Sequence, residues 1–374
     1  MAKKAYIGVD GVARKIKKGY VGVDGKARKI KKAYIGIGGV ARPCWSGGEL
    51  AYYGTITALS AARSNLAATN VGTYALFGGG QNGSAYSSVV DAYNTSLVRT
   101  HSIALSATRA RLAAASLGNY AIFGGGDTGA SIFNRLDGID SSLTSSYSSL
   151  LPNYHTELAA TAVGSYAIFG GGRSGTKASS ALNAVRAFNA SLSANTNISA
   201  LFANAYALAA TTVGNYAIFG GGTYGATRQA VVTAYNASLT RSGVTNLSVG
   251  RYSLAATTVG DYALFGGGRE SGVGLSTVDA YDSSLTKKTV TELSAGRYAL
   301  ASTSIGNYAM FGGGTDSNVM DVYDASLTRT TSTPLSIFAT GLAATTIGNY
   351  ALFGGGEDVL NIQVSNVVHA YTIG

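Results

Sequence analysis

Arginine and aromatic side chains recur at one place in this 374-residue sequence, just ahead of a repeated apolar segment such as LAATT. The segments that carry them are SAARSN (60–65), SATRAR (106–111), LPNYHTE (151–157), ALFANAY (200–206), SVGRYS (248–253), SAGRYA (294–299) and SIFATG (336–341). Guanidinium forks and flat aromatic rings suit a carbohydrate or protein ligand. The candidate binding residues are Arg63, Arg109, Arg111, Tyr154, His155, Phe202, Tyr206, Arg251, Tyr252, Arg297, Tyr298 and Phe338.

A second interpretation is open for some of these residues. Four arginines share one repeat position, three residues before a Leu, and they are Arg63, Arg109, Arg251 and Arg297. A residue that recurs in this way can also serve packing or hydrogen bonding inside each repeat. Four other candidates break the repeat and point more directly to a ligand: Tyr154, His155, Phe202 and Phe338.

Side chains for catalysis or metal binding are scarce. The only histidines are His101, His155 and His369, and the only cysteine is Cys44. Four aspartates recur at one repeat position, which favours a structural role, because a catalytic pair is asymmetric: Asp91, Asp137, Asp279 and Asp321. Residues expected to bond the backbone of the next turn are Asn94, Asp140, Asn189, Asn236, Asp282 and Asp324. We therefore expect no catalytic residue, no metal and no cofactor.

The elements that would position these residues come from a repeat of about 46 residues. The string Tyr-Ala-(Leu/Ile/Met)-Phe-Gly-Gly-Gly begins at residues 74, 120, 166, 216, 262, 308 and 350. In one unit the strand-like parts are 254–260, 262–268, 278–285 and 289–294. Seven such units predict an all-β, seven-bladed β-propeller. The loops before the first strand and after the second are expected at the same end of it.

The two ends of the repeat array complement one another. The seventh unit has a third strand near 367–373 and then no fourth strand. Residues near 53–59 match the fourth-strand position, so we expect them to complete the last blade and leave no free edge. The propeller domain is accordingly placed at 46–374.

A second repeat of 14 residues fills the N-terminal segment. Its units are 3–16, 17–30 and 31–44, and each has two strand-like halves around Asp-Gly or Gly-Gly. A type I′ hairpin turn there would pair Val9 with Val12 and Ile7 with Arg14. Ala5, Ile7, Val9, Val12 and Ile16 would then share one face.

Charge assigns a separate role to this segment. Residues 1–42 hold 12 Lys and Arg against two Asp, whereas the remaining residues hold 16 charges of each sign. We interpret 1–45 as a three-hairpin stem that binds itself or other particle proteins, with a homotrimer as one expected arrangement. Nucleic-acid and membrane partners are not expected. No Sec signal and no membrane-length apolar run is visible.

The long repeat resembles the kelch repeat. Arg297, Leu300 with its following residues, the Tyr308 string and Val322-Tyr323-Asp324 match its elements in order. The Trp that usually follows the Tyr in kelch repeats is absent, and Ser-Leu stands in that region. The resemblance implies a propeller, and either a protein-interaction scaffold or, with copper ligands that this chain lacks, an oxidase-type enzyme.

The basic repeats resemble segments of tail proteins of phages and prophages of Gram-positive bacteria. This resemblance implies a virion protein that reaches the outside of the cell by lysis. We therefore expect a non-enzymatic tail-associated protein, of the tail-fibre or receptor-binding type, whose propeller loops recognise a host-surface glycan or protein. The alternatives are a soluble kelch-type protein-interaction scaffold and, third, a glycan-active propeller enzyme.

Overall fold

Short antiparallel strands build almost the whole chain. The computed structural model describes residues 6–9, 12–15, 19–23, 26–30, 33–37, 40–45, 48–315, 317–358, 361 and 363–373. Helical structure among these residues is limited to one 3₁₀ turn, Ala178–Ser180. No helix in the described ranges is long and apolar enough to span a membrane.

The N-terminal repeats form three hairpins. Their strands are Tyr6–Val9 with Val12–Lys15, Gly19–Val23 with Lys26–Ile30, and Ala33–Ile37 with Val40–Trp45. The predicted register is confirmed, because Val9 pairs with Val12 and Ile7 with Arg14. The predicted type I′ turns, Ala5 and Ile16 lie outside the described residues.

The 46-residue repeats form four-stranded antiparallel sheets, of which the described residues contain seven. The first strands are Ala67–Val71, Ala113–Leu117, Ala159–Val163, Ala209–Val213, Ala255–Val259, Ala301–Ile305 and Ala343–Ile347. The second strands are Tyr74–Gly78, Tyr120–Gly124, Tyr166–Gly170, Tyr216–Gly220, Tyr262–Gly266, Tyr308–Gly312 and Tyr350–Gly354. The third strands are Val89–Asn94, Arg135–Asp140, Val185–Phe188, Val232–Asn236, Val278–Asp282, Met320–Asp324 and Val368–Ile373. The fourth strands are Arg99–Ala104, Ser145–Leu150, Ala194–Asn195, Arg241–Val244, Lys287–Lys288, Arg329–Ser332 and Leu50–Ile56.

Burial explains the sequence of the second strand. In the fifth unit Ala263, Leu264 and Phe265 are fully buried, as expected for a strand covered on both faces by neighbouring sheets. Gly266 follows because a Cβ there would lie 2.8 Å from the ring of Phe311 in the next unit. Gly267 has φ +67°, and a Cβ on it would lie 2.6 Å from a backbone carbonyl oxygen. The string Phe-Gly-Gly-Gly is therefore the joint at which one sheet meets the next.

The first strands stand side by side. Each contacts the first strand of the following unit, and Ala343–Ile347 in turn contacts Ala67–Val71. The fourth strand of the last sheet comes from the beginning of the chain, because Leu50–Ile56 pairs with Val368–Ile373. This is a propeller-like all-β fold.

The fourth strands lie earlier than the sequence indicated. In the fifth unit the strand is Lys287–Lys288, whereas 289–294 is irregular. In the last sheet it is Leu50–Ile56, about three residues ahead of the predicted 53–59. In the first six units the fourth strand follows a turn tightened by an Asx side chain: the carboxylate of Asp282, for example, accepts the amide N–H groups of Ser284 and Thr286 at 2.9 Å. The chain therefore re-enters the sheet two residues after Leu285.

The predicted role of the Asx residues is confirmed at all six turns. In each, the side-chain oxygen accepts two backbone N–H groups, two and four residues further on: Asn94, Asp140, Asn189, Asn236, Asp282 and Asp324.

Further two-residue strands lie in the loops after the second strands, and one of them, Ala339–Thr340, lies just ahead of a first strand. They are Gln81–Asn82 with Ala85–Tyr86, Thr223–Tyr224 with Thr227–Arg228, Arg269–Glu270 with Val273–Gly274, and a sheet of Ala339–Thr340, Glu357–Asp358 and Gln363–Val364. Backbone bridges tie several of these loops to the segment ahead of a first strand, as between Ser64 and Gln81 or Tyr252 and Arg269. The two variable loop sets therefore lie at one end of the fold, as predicted.

Candidate functional site: the axial mouth

A ring of backbone hydrogen bonds surrounds the centre of the loop end. It is formed by the residue just before each first-strand Leu: Asn65, Arg111, Glu157, Ala207, Ser253, Ala299 and Gly341. Each amide N–H donates to the carbonyl oxygen of the ring residue one unit earlier at 2.7–3.1 Å, and Asn65 donates to Gly341 at 2.7 Å. We call these seven residues the axial ring.

The axial ring is held in an unusual backbone conformation. All seven residues have φ between +53° and +63°, although only Gly341 is a glycine. Side chains in this left-handed region cost roughly 1–2 kcal/mol per residue. The shared hydrogen bonds offset that cost, and they make the frame independent of which side chain stands at each position.

Beneath the axial ring lies an apolar floor. It consists of one leucine from each unit, each only 7–8% exposed: Leu66, Leu112, Leu158, Leu208, Leu254, Leu300 and Leu342. The floor and the ring line an open cavity of about 440 Å³, within the size range of small-molecule sites. We call this cavity and its walls the axial mouth.

Two ion pairs form one part of the wall. Arg111 donates from Nε to Asp127 Oδ2 at 2.8 Å, makes a second bond to Oδ1, and donates to Gln81 Oε1 at 3.0 Å. Arg173 donates to Glu157 Oε1 at 2.8 Å. Burial alone would raise the pKa of Asp127, but the hydrogen bonds from Arg111, the Thr156 hydroxyl and a backbone N–H hold it below its usual value. The carboxylate is thus ionised and neutralised by its arginine.

Stacked tyrosines form the other part of the wall. Tyr206, Tyr252 and Tyr298 hold one repeat position in three consecutive units, and each ring lies 4.9 Å from a guanidinium of the preceding unit. The three guanidiniums belong to Arg173, Arg228 and Arg269 in that order. Tyr206 and Tyr252 line the cavity directly. A guanidinium over an aromatic ring is attracted by the ring quadrupole, which holds the two side chains together.

Four of the predicted ligand-binding residues lie elsewhere, and this corrects the sequence interpretation. Arg63, Arg109, Arg251 and Arg297 are at most 1% exposed and are ion-paired with Asp91, Asp137, Asp279 and Asp321. Three of these pairs measure 2.6–2.8 Å. A buried guanidinium must be paired, so these arginines stabilise the sheets and cannot reach a ligand.

The pattern of substitution within the chain supports this structural role. Units with the Arg also have the Asp, whereas the units that lack one lack both. The equivalent positions hold His155 and Arg186 in the third unit, Ala205 and Thr233 in the fourth, and Ala339 and His369 in the seventh. The second alternative raised by the sequence, a packing feature, therefore describes these four arginines.

The remaining predicted residues divide between the axial mouth and its surroundings. Arg111, Tyr206 and Tyr252 line the cavity, and Tyr298 lies beside it under Arg269. His155 is buried, with Nδ1 at 2.7 Å from the Gly171 carbonyl oxygen, and burial lowers its pKa. Tyr154 and Phe202 are 57% and 48% exposed and Phe338 is half-buried. None of these last three lines the cavity.

Sequence reasoning missed Glu157 and Arg173, which line the cavity, and three residues that contact its wall: Asp127, Arg228 and Arg269. A usable signal was present in the residue before each floor leucine. That residue is different in almost every unit, while its neighbour, the leucine, never changes.

A Ser-His-Tyr arrangement in the seventh sheet has a structural explanation. His369 accepts or donates through Nδ1 to the Tyr52 hydroxyl at 3.1 Å and through Nε2 to Ser336 Oγ at 3.2 Å. In four other units the equivalent serine donates its amide to the buried aspartate, as Ser106 does to Asp137 at 3.0 Å. His369 therefore replaces that aspartate, and burial lowers its pKa to about 4, which makes it a weak base.

Metal ligands are not grouped in the described ranges: no set of three or more His, Cys, Asp or Glu side chains could hold an ion there.

Comparison with solved structures finds similar folds. The structure of YjhT matches 71% of this chain and 95% of its own chain, with a TM-score of 0.56 and 13% sequence identity. At that identity the likeness concerns the fold alone. No family model and no curated protein sequence matches the chain.

Proposed function

We propose that residues 46–374 form a closed, seven-bladed kelch-like β-propeller carried on a basic hairpin stem, residues 1–45. The hydrogen bond from Asn65 to Gly341 and the contact between the first strands of the first and seventh units support closure. The pairing of Leu50–Ile56 with the last repeat supports it from the outer edge.

We further propose that the protein is a non-enzymatic, tail-associated phage or prophage protein that attaches to a host-surface glycan or protein through the axial mouth. One observation carries this proposal: a sevenfold backbone frame presents side chains that differ in almost every unit. A purely structural ring has no need of that variety. A ligand without sevenfold symmetry does need it.

The direction of the chain fits display of the axial mouth away from the stem. Leu50 pairs with Ile373, and Thr372 pairs with Tyr350 beside the tight hairpin turn of the seventh unit. Those turns lie at the end opposite the variable loops. The stem therefore joins the propeller-like body at the far end from the mouth, as an attachment protein would require.

The electrostatics of the axial mouth favour binding over catalysis. A general acid needs a carboxyl group whose pKa is raised toward neutrality. The pKa of Asp127 is instead lowered, chiefly by Arg111, against the effect of burial. The two wall carboxylates, those of Asp127 and Glu157, form ion pairs with arginines.

Adsorption of labelled full-length protein to Gram-positive bacterial cells tests the proposal. A mouth variant, Tyr206→Ala/Tyr252→Ala, is compared with a matched variant of the outer loops, Tyr154→Ala/Phe202→Ala. We expect the mouth variant to lose adsorption and the outer variant to keep it, with circular dichroism and melting temperature establishing that both fold. Equal adsorption by the mouth variant and wild type would contradict the proposal.

The second candidate is a soluble protein-interaction scaffold. The exposed aromatic side chains Tyr154 and Phe202 favour it, since aromatic residues are enriched at protein interfaces. It predicts the reverse outcome: no adsorption to cells, and a protein partner whose binding the Tyr154→Ala/Phe202→Ala variant loses.

A further inference from the structure

Two arginines beside the axial mouth have no acidic partner among the described residues; each lies over a tyrosine and neither lines the cavity itself. Arg111 and Arg173 are neutralised by carboxylates, but Arg228 and Arg269 form no ion pair among the described residues. Arg228 Nη1 donates only to the Thr223 hydroxyl and the Ala226 carbonyl, both at 3.1 Å.

Both guanidiniums are nevertheless held in place. Arg228 lies over Tyr252 and Arg269 over Tyr298, each at 4.9 Å. A guanidinium held over an aromatic ring keeps N–H groups available to a partner on the side away from the ring. Those donors suit the fork geometry of a carboxylate or a phosphate.

The supporting backbone is built the same way twice. The sequence Gly-Arg-Tyr occurs at 250–252 and at 296–298. A Cβ at Gly250 would lie 2.4 Å from the Arg228 carbonyl oxygen, and one at Gly296 would lie 2.4 Å from the Gly274 carbonyl oxygen. Each loop hairpin is therefore seated directly against the segment that carries its tyrosine.

The neighbouring acid does not offset these charges. Glu270 follows Arg269 in a two-residue strand, so the two side chains point to opposite faces of the hairpin. The positive charge of this part of the mouth is left for a ligand.

We infer that Arg228 and Arg269 form an anion subsite that takes the carboxylate or phosphate of an acidic saccharide. The sugar ring would lie against Tyr252 and the leucine floor, because Tyr252 both lines the cavity and carries Arg228. This inference rests on the proposal that the axial mouth binds a surface glycan, and it names the chemical class of that glycan.

Titration of the full-length protein with glucose, glucuronate and glucose 6-phosphate, followed by ligand-observed NMR at low salt, tests the subsite. The three probes share a ring and differ in charge, so the two acidic ones distinguish carboxylate from phosphate. We expect at least one acidic sugar to bind about tenfold or more tightly than glucose, since charged hydrogen bonds are strong. The Arg228→Gln/Arg269→Gln variant should bind it no better than glucose, and added salt should weaken wild-type binding.

Arg241→Gln is the matched control, because this guanidinium also lies over an aromatic ring at 4.0 Å, that of Phe202, which unlike Tyr252 does not line the cavity. It should behave as wild type. Equal affinity for all three sugars, no binding of either acidic sugar, or an unchanged Arg228→Gln/Arg269→Gln variant would each overturn the inference. After any of these three results, the adsorption assay tells which proposal has failed. If cells adsorb wild-type protein and not the Tyr206→Ala/Tyr252→Ala variant, only the anion subsite is wrong. If cells adsorb neither protein, the proposed function is wrong as well.

Discussion

The buried pair of Arg109 and Asp137 offers the sharpest test of how the sheets are stabilised. The side chain of Asp137 is 1% exposed and forms a buried ion pair with Arg109. The carboxylate also accepts from the amide and hydroxyl of Ser106, at 3.0 and 3.1 Å. Arg109→Ala would therefore leave a buried, uncompensated charge, for which the usual loss of unfolding free energy is about 3–5 kcal/mol.

The equivalent change in the fifth unit should cost less. Asp279 contacts Lys287 Nζ at 2.6 Å as well as Arg251 at 2.8 Å. After Arg251→Ala the carboxylate keeps a cation, so the expected loss is that of a buried charged hydrogen bond, about 1–3 kcal/mol. Urea unfolding monitored by circular dichroism should rank wild type above Arg251→Ala, and Arg251→Ala above Arg109→Ala.

The fourth unit shows which uncharged residues can replace the buried pair and so restore the stability that Arg109→Ala loses. It holds Ala205 and Thr233 at the two positions, and the Thr233 hydroxyl accepts the amide N–H of Phe202 at 3.3 Å. Arg109→Ala/Asp137→Thr copies that solution, and it should recover most of the lost stability because neither buried charge is left. If the unfolding free energy of Arg109→Ala lay within about 0.5 kcal/mol of wild type, as for most surface changes, the ion pair would not stabilise the sheet as argued. A double variant no more stable than the single one would also contradict this role.

Three further predictions follow from other parts of the molecule. Burial lowers the pKa of His369 to about 4, against about 6.5 in an unfolded chain, so unfolding binds a proton as pH falls from 6.5 to 4. Urea midpoints should show stability falling by up to about 3 kcal/mol over that window on account of this residue. His369→Gln should reduce the slope and leave the contribution of His155, whose pKa burial also lowers; an unchanged slope would contradict the prediction. Gly267→Ala should lower the melting temperature more than Gly272→Ala, because both residues have positive φ but only Gly267 would place its Cβ 2.6 Å from a carbonyl oxygen; equal effects would argue against the crowded joint. Light scattering of the full-length protein should give three times its mass of 37.9 kDa if the hairpin stem assembles, and a monomeric mass would remove the case for a self-associating stem.

Much of the fold was predictable because glycine and Asx residues mark the turns of each repeat. The register of Val9 with Val12, the positions of the second strands and the six Asx turns all follow from residue types with strong local preferences. The fourth strands were less predictable. Their residues, such as Lys287 and Lys288, lie half-buried at the outer edge and carry no apolar pattern.

The site was predictable only in part. The sequence located the loop end, and three of its candidate binding residues, Arg111, Tyr206 and Tyr252, line the cavity there. It could not separate them from the buried arginines by residue type. A constant spacing of 28 residues between Arg and Asp in three of the four pairs, as from Arg63 to Asp91, would have done so. The axial ring was beyond prediction, because its left-handed conformation at residues such as Glu157 is imposed by the neighbouring units.

Site-specific photo-crosslinking tests directly whether the axial mouth contacts the bacterial cell wall. A benzoylphenylalanine replaces Tyr252 in the axial mouth or, as the matched control, Ser142 in an exposed turn at the opposite end. The full-length variants are irradiated with Gram-positive cell-wall fragments. We expect crosslinked wall material from position 252 and none from position 142. Crosslinks from position 142 alone, or from neither position while wild-type protein adsorbs to the same walls, would contradict recognition through the axial mouth.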